Sequence, residues 1–464
     1  MNFKYHFFTS KVMILGLVLS IGLASGKTKD HNSKQDKQTP NFIFIYADDL
    51  GYGDLGCYGN PTIKTPNLDQ MASEGVKFTQ FYVASPVCTP SRAALMTGCY
   101  PKRVGLHNGV LFPHSTTGLN PKELTLADLL KSEGYETACV GKWHLGHQEE
   151  FLPESNGFDY FFGIPFSNDM SKKEQAKMGW ENYKYQLPLL CGSDTLELDP
   201  DQTQLCKRLT DEAISFINTN SKDAFFLYMA HPMPHIPLYA SKDFQGKSAR
   251  GAYGDAVEEI DWSVGQIITT LKQLGIENNT IVVFSSDNGP WLPYKTHGGS
   301  AGPLRGGKGT TWEGGMREPC IMWSPGNIPS GMVCNEISST LDILPTFAHF
   351  ANADVSDKIK LDGQDIYNLI MEQDYSFDSP RTFFYYSSKG TIEGVRKGPW
   401  KLKAVRDTLE LFNVEEDISE KYNLAQKFPK RVCELNQLIL SFDKKIEQEM
   451  RPVGKISEIE NSRH

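Results

Sequence analysis

Residues 41–49 read Asn-Phe-Ile-Phe-Ile-Tyr-Ala-Asp-Asp. The apolar part, Asn41 to Ala47, has no alternation, so it predicts a central strand covered on both faces. Similar runs occur at Tyr135 to Val140, Ala224 to Ala230 and Thr280 to Ser286. Helical patterns lie between them, at Leu124 to Glu133 and at Gly254 to Leu274. In the latter, Val257, Ile260, Val264, Ile267, Ile268 and Leu271 follow the 3.6-residue period. Strands alternating with helices predict an α/β fold, a mostly parallel sheet with helices on both faces.

The pattern changes after about Asp374. Thr382 to Tyr386, Gly394 to Lys397, Trp400 to Val405 and Leu409 to Phe412 are short strand candidates joined by tight turns. They predict a small antiparallel sheet, followed by a helix from about Lys430 to Glu449 and a loose polar end from Arg451 to His464. The expected organisation is a catalytic domain over 41–374 and a carboxyl-terminal α+β subdomain over 375–464.

At the other end, Lys4 and Lys11 precede the apolar run Val12 to Leu23, and Ala24-Ser25-Gly26 supplies small residues. This predicts an export signal over 1–26 and a flexible lysine-rich leader over 27–40, hence a periplasmic or secreted protein. The apolar core is short for a bilayer, so no membrane span is expected once the signal is removed.

Across 464 residues, 47 Lys and Arg face 56 Asp and Glu, a net charge of −9. That balance argues against nucleic-acid binding, and an anionic substrate must be met by a local positive site. Nine cysteines are present without CxxC spacing, so zinc is not indicated. Cys139 and Cys320 lie in apolar runs, as buried hydrophobes do. Cys191 and Cys206 flank a polar loop, and pairing between them is left open.

Asp48 and Asp49 follow the first strand, and Asp287 and Asn288 follow the strand ending at Ser286. Ligands collect at the carboxyl ends of parallel strands. A single Asp there is ordinarily a turn former. Two such clusters at equivalent places predict a site for a hard divalent cation, Ca²⁺ or Mg²⁺. Cys88 stands in Val87-Cys88-Thr89-Pro90-Ser91-Arg92. Thr89 is expected as the N-cap and Pro90 as the first residue of a helix, with Cys88 just ahead of its anion-favouring end.

Three further strings carry cationic or proton-exchanging groups. In Gly141-Lys142-Trp143-His144-Leu145-Gly146, Lys142 and His144 are expected to face one way along an extended segment. His231 and His235 compete within residues 231–238, and His231 is expected to be structural. Gly306 to Gly315 carries Lys308 on a glycine-rich loop without Walker A spacing. Glu313 and Arg317 are expected to hold that loop in place.

Together these strings resemble the Cys-type sulfatases, from about Asn41 to Leu424, and especially the arylsulfatase A and N-acetylgalactosamine-6-sulfatase branch. Cys-x-Pro-Ser-Arg is similar to the family signature, as are Gly51-Tyr52-Gly53-Asp54, the GKWHLG string, Ser285 to Gly289 and Leu411-Phe412-Asn413. The fold implied is that of alkaline phosphatase. The resemblance implies a formylglycine made from Cys88 by a maturation enzyme, and a Ca²⁺, less favourably Mg²⁺, held by Asp48, Asp49, Asp287 and Asn288 together with that residue. It implies that Lys142, Lys308 and Arg92 neutralise sulfate charge. His235, chosen because it precedes an x-Pro step, assists the leaving oxygen, and His144 takes the proton of the second hydroxyl. The implied partner is a small sulfate ester or a sulfated glycan of galactose or N-acetylgalactosamine type. Loops bearing Trp291, Tyr294, His297 and Arg305 select the sugar or simply pack. Cys99 departs from the branch, which carries arginine after Thr-Gly. Two rival readings are a phosphoester hydrolase of the same superfamily and a noncatalytic glycan-binding protein.

Overall fold

A computed structural model describes residues 39–177, 179, 181–355 and 359–456. The expected export signal and all but the last two residues of the leader lie outside the described residues. Among those described, no helix is long and apolar enough to cross a membrane.

An eleven-stranded sheet organises the chain. Its centre is five parallel strands in the order Thr280–Ser286, Asn41–Ala47, Phe225–Ala230, Glu136–Lys142 and Tyr160–Ile164. The unbroken apolar run of the first strand is explained by its place at the middle. Phe42, Phe44 and Tyr46 enter one core cluster, while Ile43, Ile45 and Ala47 enter the cluster on the opposite face. Arg317–Trp323 runs antiparallel between Thr280–Ser286 and Val76–Tyr82, and Pro188–Cys191 and Asp194–Leu198 close the far edge antiparallel.

Register aligns the strand ends. Ala47 lies opposite Ser286, and Tyr46 and Gly141 both lie opposite Ala230. The residues that follow, Asp48, Asp287 and His231, therefore leave the sheet along one rim. Close approach at this rim requires glycine. Gly141 has φ +117°, and a Cβ there would lie 1.9 Å from the Ala230 carbonyl oxygen.

Two helices pack on the sheet as the periodicity predicts, at Leu126–Ser132 and Ala252–Leu274. The first carries a capping box between Thr125 and Asp128. The helix Cys88–Thr97 is buried along its whole length, which its small residues Ala93 and Ala94 allow, and it ends at Gly98 in the left-handed region.

Beyond the large sheet, Thr382–Tyr386, Ile392–Lys397, Trp400–Val405 and Thr408–Asn413 form a four-stranded antiparallel meander. The helix Pro429–Gln448 packs on it through Leu435, Ile439 and Ile446. The segment from Arg451 is not loose as far as it is described. Arg451 pairs with Glu123, and Gly454–Lys455 adds a strand to Thr117–Gly118, because complementary charge and open backbone groups are at hand there. Arg451 also places a guanidinium nitrogen 3.5 Å from the Cys99 sulfur, at the position where the resembled branch carries its own arginine.

Candidate active site

The expected residues converge on the carboxyl rim of the five parallel strands. Cys88 Sγ lies 3.6 Å from Asp48 Oδ1, and both residues are buried. Asp48, Cys88 and Asp287 offer ligand atoms within 4.8 Å of one another, and so do Asp49, Cys88 and His235. Asp49 reaches the rim in the left-handed region, at φ 64°. Its backbone N–H donates to Asp287 Oδ1 at 3.2 Å, and its Oδ1 accepts from Asn288 Nδ2 at 2.7 Å.

The capping expectation needs correction. The helix begins at Cys88 itself, with Val87 at its cap and no side-chain cap bond. Thr89 Oγ1 donates instead to the His144 carbonyl at 2.9 Å and accepts from the Leu111 N–H at 3.1 Å. Two long-range partners outcompete a local cap, and they tie Cys88 to the segment carrying His144.

Of the three carboxylates beside Cys88, Asp48 and Asp49 each pair with one lysine. Lys142 Nζ lies 2.6 Å from Asp48 Oδ2, and Lys308 Nζ lies 2.7 Å from Asp49 Oδ2. Burial alone would raise the pKa of Asp48, but Lys142, His235, Arg92 and Lys308 hold it well below the usual carboxylate range. Burial by itself would lower Lys308, and the charges of Asp49 and Asp48 more than offset it, so the lysine stays charged. Asp287 is pushed up, first by burial and then by the Asp48 charge, despite Arg92. Burial pushes the Cys88 thiol up to about 12.

Arg92 is not where the sequence reading put it. Its guanidinium is buried behind the carboxylates, with Nε and Nη2 donating to Asp287 Oδ2 at 3.0 and 2.8 Å. Nη1 donates to the Lys142 carbonyl at 2.9 Å and to the Tyr228 hydroxyl at 3.2 Å. Four hydrogen bonds to protein groups thus engage it, and Nη2 also lies 3.7 Å from Asp48 Oδ1. Its helical position, one turn after Cys88, points it at the sheet rather than at the open rim.

The two histidines differ in setting. The chain leaves the extended conformation after Lys142, since His144 has φ 60°, so the expected extended Lys-x-His geometry is not formed. His144 Nε2 lies 2.9 Å from the Leu111 carbonyl, which can only accept, so Nε2 carries the proton. Nδ1 is left buried without a partner. Burial, then Lys142, keeps the ring neutral. His235 Nδ1 lies 2.5 Å from the Ile236 carbonyl and 3.2 Å from Asn168 Oδ1, leaving Nε2 toward Asp49 Oδ2 at 3.6 Å. His231, expected to be structural, lies with Nδ1 3.8 Å from Cys206 Sγ. Cys206 is therefore not joined to Cys191; all nine cysteines are free.

Of the residues that fix the site, Glu313 was expected to hold the Lys308 loop, while the clasp at Asp54 and the pair Ser167 and Asn168 were missed. Glu313 accepts from Tyr82, Tyr385 and Lys401 at 2.6, 2.9 and 2.9 Å and lies 3.5 Å from Arg317. It anchors the Lys308 loop to the small sheet. Asp54 is a clasp, accepting from Gly51 N–H at 2.8 Å, Ser300 N–H at 2.9 Å and Tyr253 hydroxyl at 2.7 Å. Ser167 and Asn168, which flank His235, follow the strand Tyr160–Ile164. The strand-end signal that found Asp48 would have found them too. Of the sugar-loop residues, Trp291 packs against His235 and under Lys308, with the ring centroid 4.2 Å from Nζ. Arg305 stacks on Trp312 at 3.6 Å and donates to the Glu420 carbonyl, so it serves loop packing.

A sulfatase family profile matches residues 40–353. The chain belongs to the sulfatase family. This sulfatase is 42% identical to human arylsulfatase A over 384 residues, covering 78% of this chain and 74% of that one. It is 40% identical to rat (Rattus norvegicus) N-acetylgalactosamine-6-sulfatase over 385 residues, covering 78% and 71%. The PsFucS1 sulfatase structure from Pseudoalteromonas sp. superposes with a TM-score of 0.80 at 27% identity, covering 90% of this chain and 93% of that chain. The fold is thus the alkaline-phosphatase-like one of sulfatases, with a small antiparallel sheet appended. The protein is a sulfuric ester hydrolase of the Cys-type branch.

Proposed function

We propose that this protein is an exported sulfatase that acts on a sulfated sugar through a formylglycine formed at Cys88 and a divalent cation, Ca²⁺ in preference to Mg²⁺. The observation that carries the reading is Asn288. Its Nδ2 is committed to Asp49, while its Oδ1 is buried with no partner. A buried amide oxygen beside three carboxylates is a donor set for a hard cation. Asp48, Asp49, Asp287, Asn288 and the oxygen at position 88 would hold it, and it would supply polarisation of the sulfuryl group.

An aldehyde at position 88, as its hydrate, supplies an oxygen nucleophile and a second hydroxyl for product release. A thiol raised to about 12 supplies no such nucleophile near neutral pH. The remaining work falls to fixed groups. Lys142 and Lys308, paired with Asp48 and Asp49, set two positive charges near Cys88 for the sulfate oxygens. Protonated at Nε2, His235 gives a proton to the departing alkoxide, with Lys308 beside it. Nδ1 of His144 offers the free lone pair for the second hydroxyl. Arg92 is a positioning residue: it holds Asp287 and the Lys142 backbone. The relatives named arylsulfatase A and N-acetylgalactosamine-6-sulfatase support a sulfate ester substrate, and the Cys-x-Pro-Ser-Arg string at Cys88 is the ground for maturation by a formylglycine-generating enzyme.

Cys88→Ala tests the reading. The protein, co-produced with a maturation enzyme, should show the aldehyde mass at position 88 and hydrolyse para-nitrophenyl sulfate. The variant should keep its thermal unfolding midpoint and lose turnover. Retained turnover in Cys88→Ala would exclude the mechanism.

A further inference from the structure

Beside His235 the surface opens into a cleft of about 480 Å³. That volume is within the range of small-ligand sites. Ile236, adjacent to His235, forms part of its wall, and Trp291 links it to the reaction centre through its contacts with His235 and Lys308. Trp291 and Tyr294 meet edge to face at 4.8 Å, and Phe112 and Tyr294 are each 40% exposed. Flat aromatic faces of this kind suit the C–H faces of a pyranose ring.

The polar groups of the cleft are what make it specific. Asp169 and Tyr183 both line it, and both carry a buried polar atom without a partner, Oδ1 and the hydroxyl respectively. The two feel one another, since the Asp169 charge adds to burial in pushing the Tyr183 hydroxyl up to about 12. Gln175, also in the wall, is engaged with the Asp169 backbone carbonyl at 3.0 Å and does not satisfy the carboxylate. Asp169 follows directly on Asn168, whose Oδ1 meets His235. The segment that orients the leaving-group acid therefore also presents the carboxylate. Among the described lining residues Asp169 is the only charged one. The sulfate position is cationic through Lys142 and Lys308, whereas the cleft wall beyond Trp291 carries the Asp169 carboxylate.

Resting on the sulfatase reading above, we infer that this cleft takes the sugar ring of a monosulfated neutral glycan, with Asp169 and Tyr183 binding a hydroxyl of that ring. A carboxylate only accepts, so it needs a donor, and a ring hydroxyl supplies one while accepting from Tyr183. A second sulfate or a uronate carboxyl at the same place faces the Asp169 charge across a dehydrated wall and is turned away. An aryl leaving group fills the aromatic walls but leaves both polar atoms unsatisfied. Sites that bind a substrate hydroxyl discriminate strongly against analogues lacking it.

The test compares para-nitrophenyl sulfate with the 3-, 4- and 6-sulfates of galactose, galactose 4,6-disulfate and glucuronate 2-sulfate on the matured enzyme. The wild type should hydrolyse at least one galactose monosulfate, and its kcat/KM should exceed those for the disulfate and the uronate at least tenfold. Asp169→Ala should lower the ratio of sugar to aryl kcat/KM about 100-fold, and Tyr183→Phe about tenfold. An unchanged ratio in both variants, or a wild-type preference for the disulfate or the uronate, would overturn the inference. So would hydrolysis of the aryl ester with none of the galactose monosulfates, and in all these cases the sulfatase reading stands. Hydrolysis of neither class by enzyme bearing the aldehyde would sink the sulfatase reading itself.

Discussion

Replacing Arg92 with lysine keeps one positive charge in the site and removes only the planar fork. The fork makes four hydrogen bonds, two onto Asp287 Oδ2 at 3.0 and 2.8 Å, one onto the Lys142 carbonyl at 2.9 Å and one onto the Tyr228 hydroxyl at 3.2 Å, and it lies 3.7 Å from Asp48 Oδ1. An ammonium on a shorter stem can keep one bond to Asp287. One charge-assisted bond is then lost, at a net cost of about 1.5–3 kcal/mol, and the Lys142 carbonyl is left buried without a donor, at about 1–3 kcal/mol. The expected destabilisation is about 2.5–6 kcal/mol. With a urea dependence of about 3 kcal/mol per molar, the unfolding midpoint falls by about 1–2 M. Because the Lys142 backbone and Asp287 both shift, kcat on para-nitrophenyl sulfate should fall on the order of 100-fold. The affinity for inorganic sulfate, read as competitive inhibition, should change far less. An unaltered urea midpoint together with a large loss of sulfate affinity would refute the positioning role. It would return Arg92 to the substrate, where the sequence alone had put it.

Three further outcomes follow from the same geometry. His235→Ala should lower turnover of sugar sulfates more than that of para-nitrophenyl sulfate, because only the poor leaving group needs the proton; equal losses in steady-state kinetics would remove His235 from the acid role. Gly141→Ala places a Cβ against the Ala230 carbonyl in a positive-φ residue, and should cost about 3 kcal/mol or more, seen as a lower thermal midpoint or loss of soluble protein. Asp261 is buried, accepts from the Leu68 and Asn67 backbone N–H groups, and is pushed up to about 6 by burial. Since its folded value exceeds the unfolded value of about 3.9, the native state alone keeps the proton near pH 5. The stability it contributes is complete below about pH 4 and is lost as the pH rises through 6. Asp261→Asn should therefore flatten the fall in unfolding free energy, read from urea melts between pH 4 and 6.5, by up to about 3 kcal/mol; a parallel fall in both proteins would contradict the assignment.

Much of the molecule was legible without coordinates, for identifiable reasons. Asn41 to Ala47 is apolar at every position because both of its faces are covered, and a run of that kind has one structural meaning beside alternating helices. Asp48, Asp287 and Asn288 announced themselves because strand ends in a parallel sheet share one rim. The meander of Thr382–Tyr386 through Thr408–Asn413 was visible from tight spacing alone.

What local sequence could not convey is who competes for each polar group. Thr89 has the sequence of a helix cap, yet two partners far along the chain take its hydroxyl. Arg92 has the charge to meet sulfate, but the register of the buried helix turns it toward Asp287 and Tyr228. Asp169 and Tyr183 carry no motif at all, and only folding sets them in one cleft beside His235. Periodicity and composition fix which faces are buried, because burial is paid for residue by residue along the chain. Hydrogen-bond partnership is settled by distances between segments far apart along the chain, from 22 residues for Thr89 and Leu111 to 195 for Arg92 and Asp287, and those exist only once the sheet has brought the strand ends together.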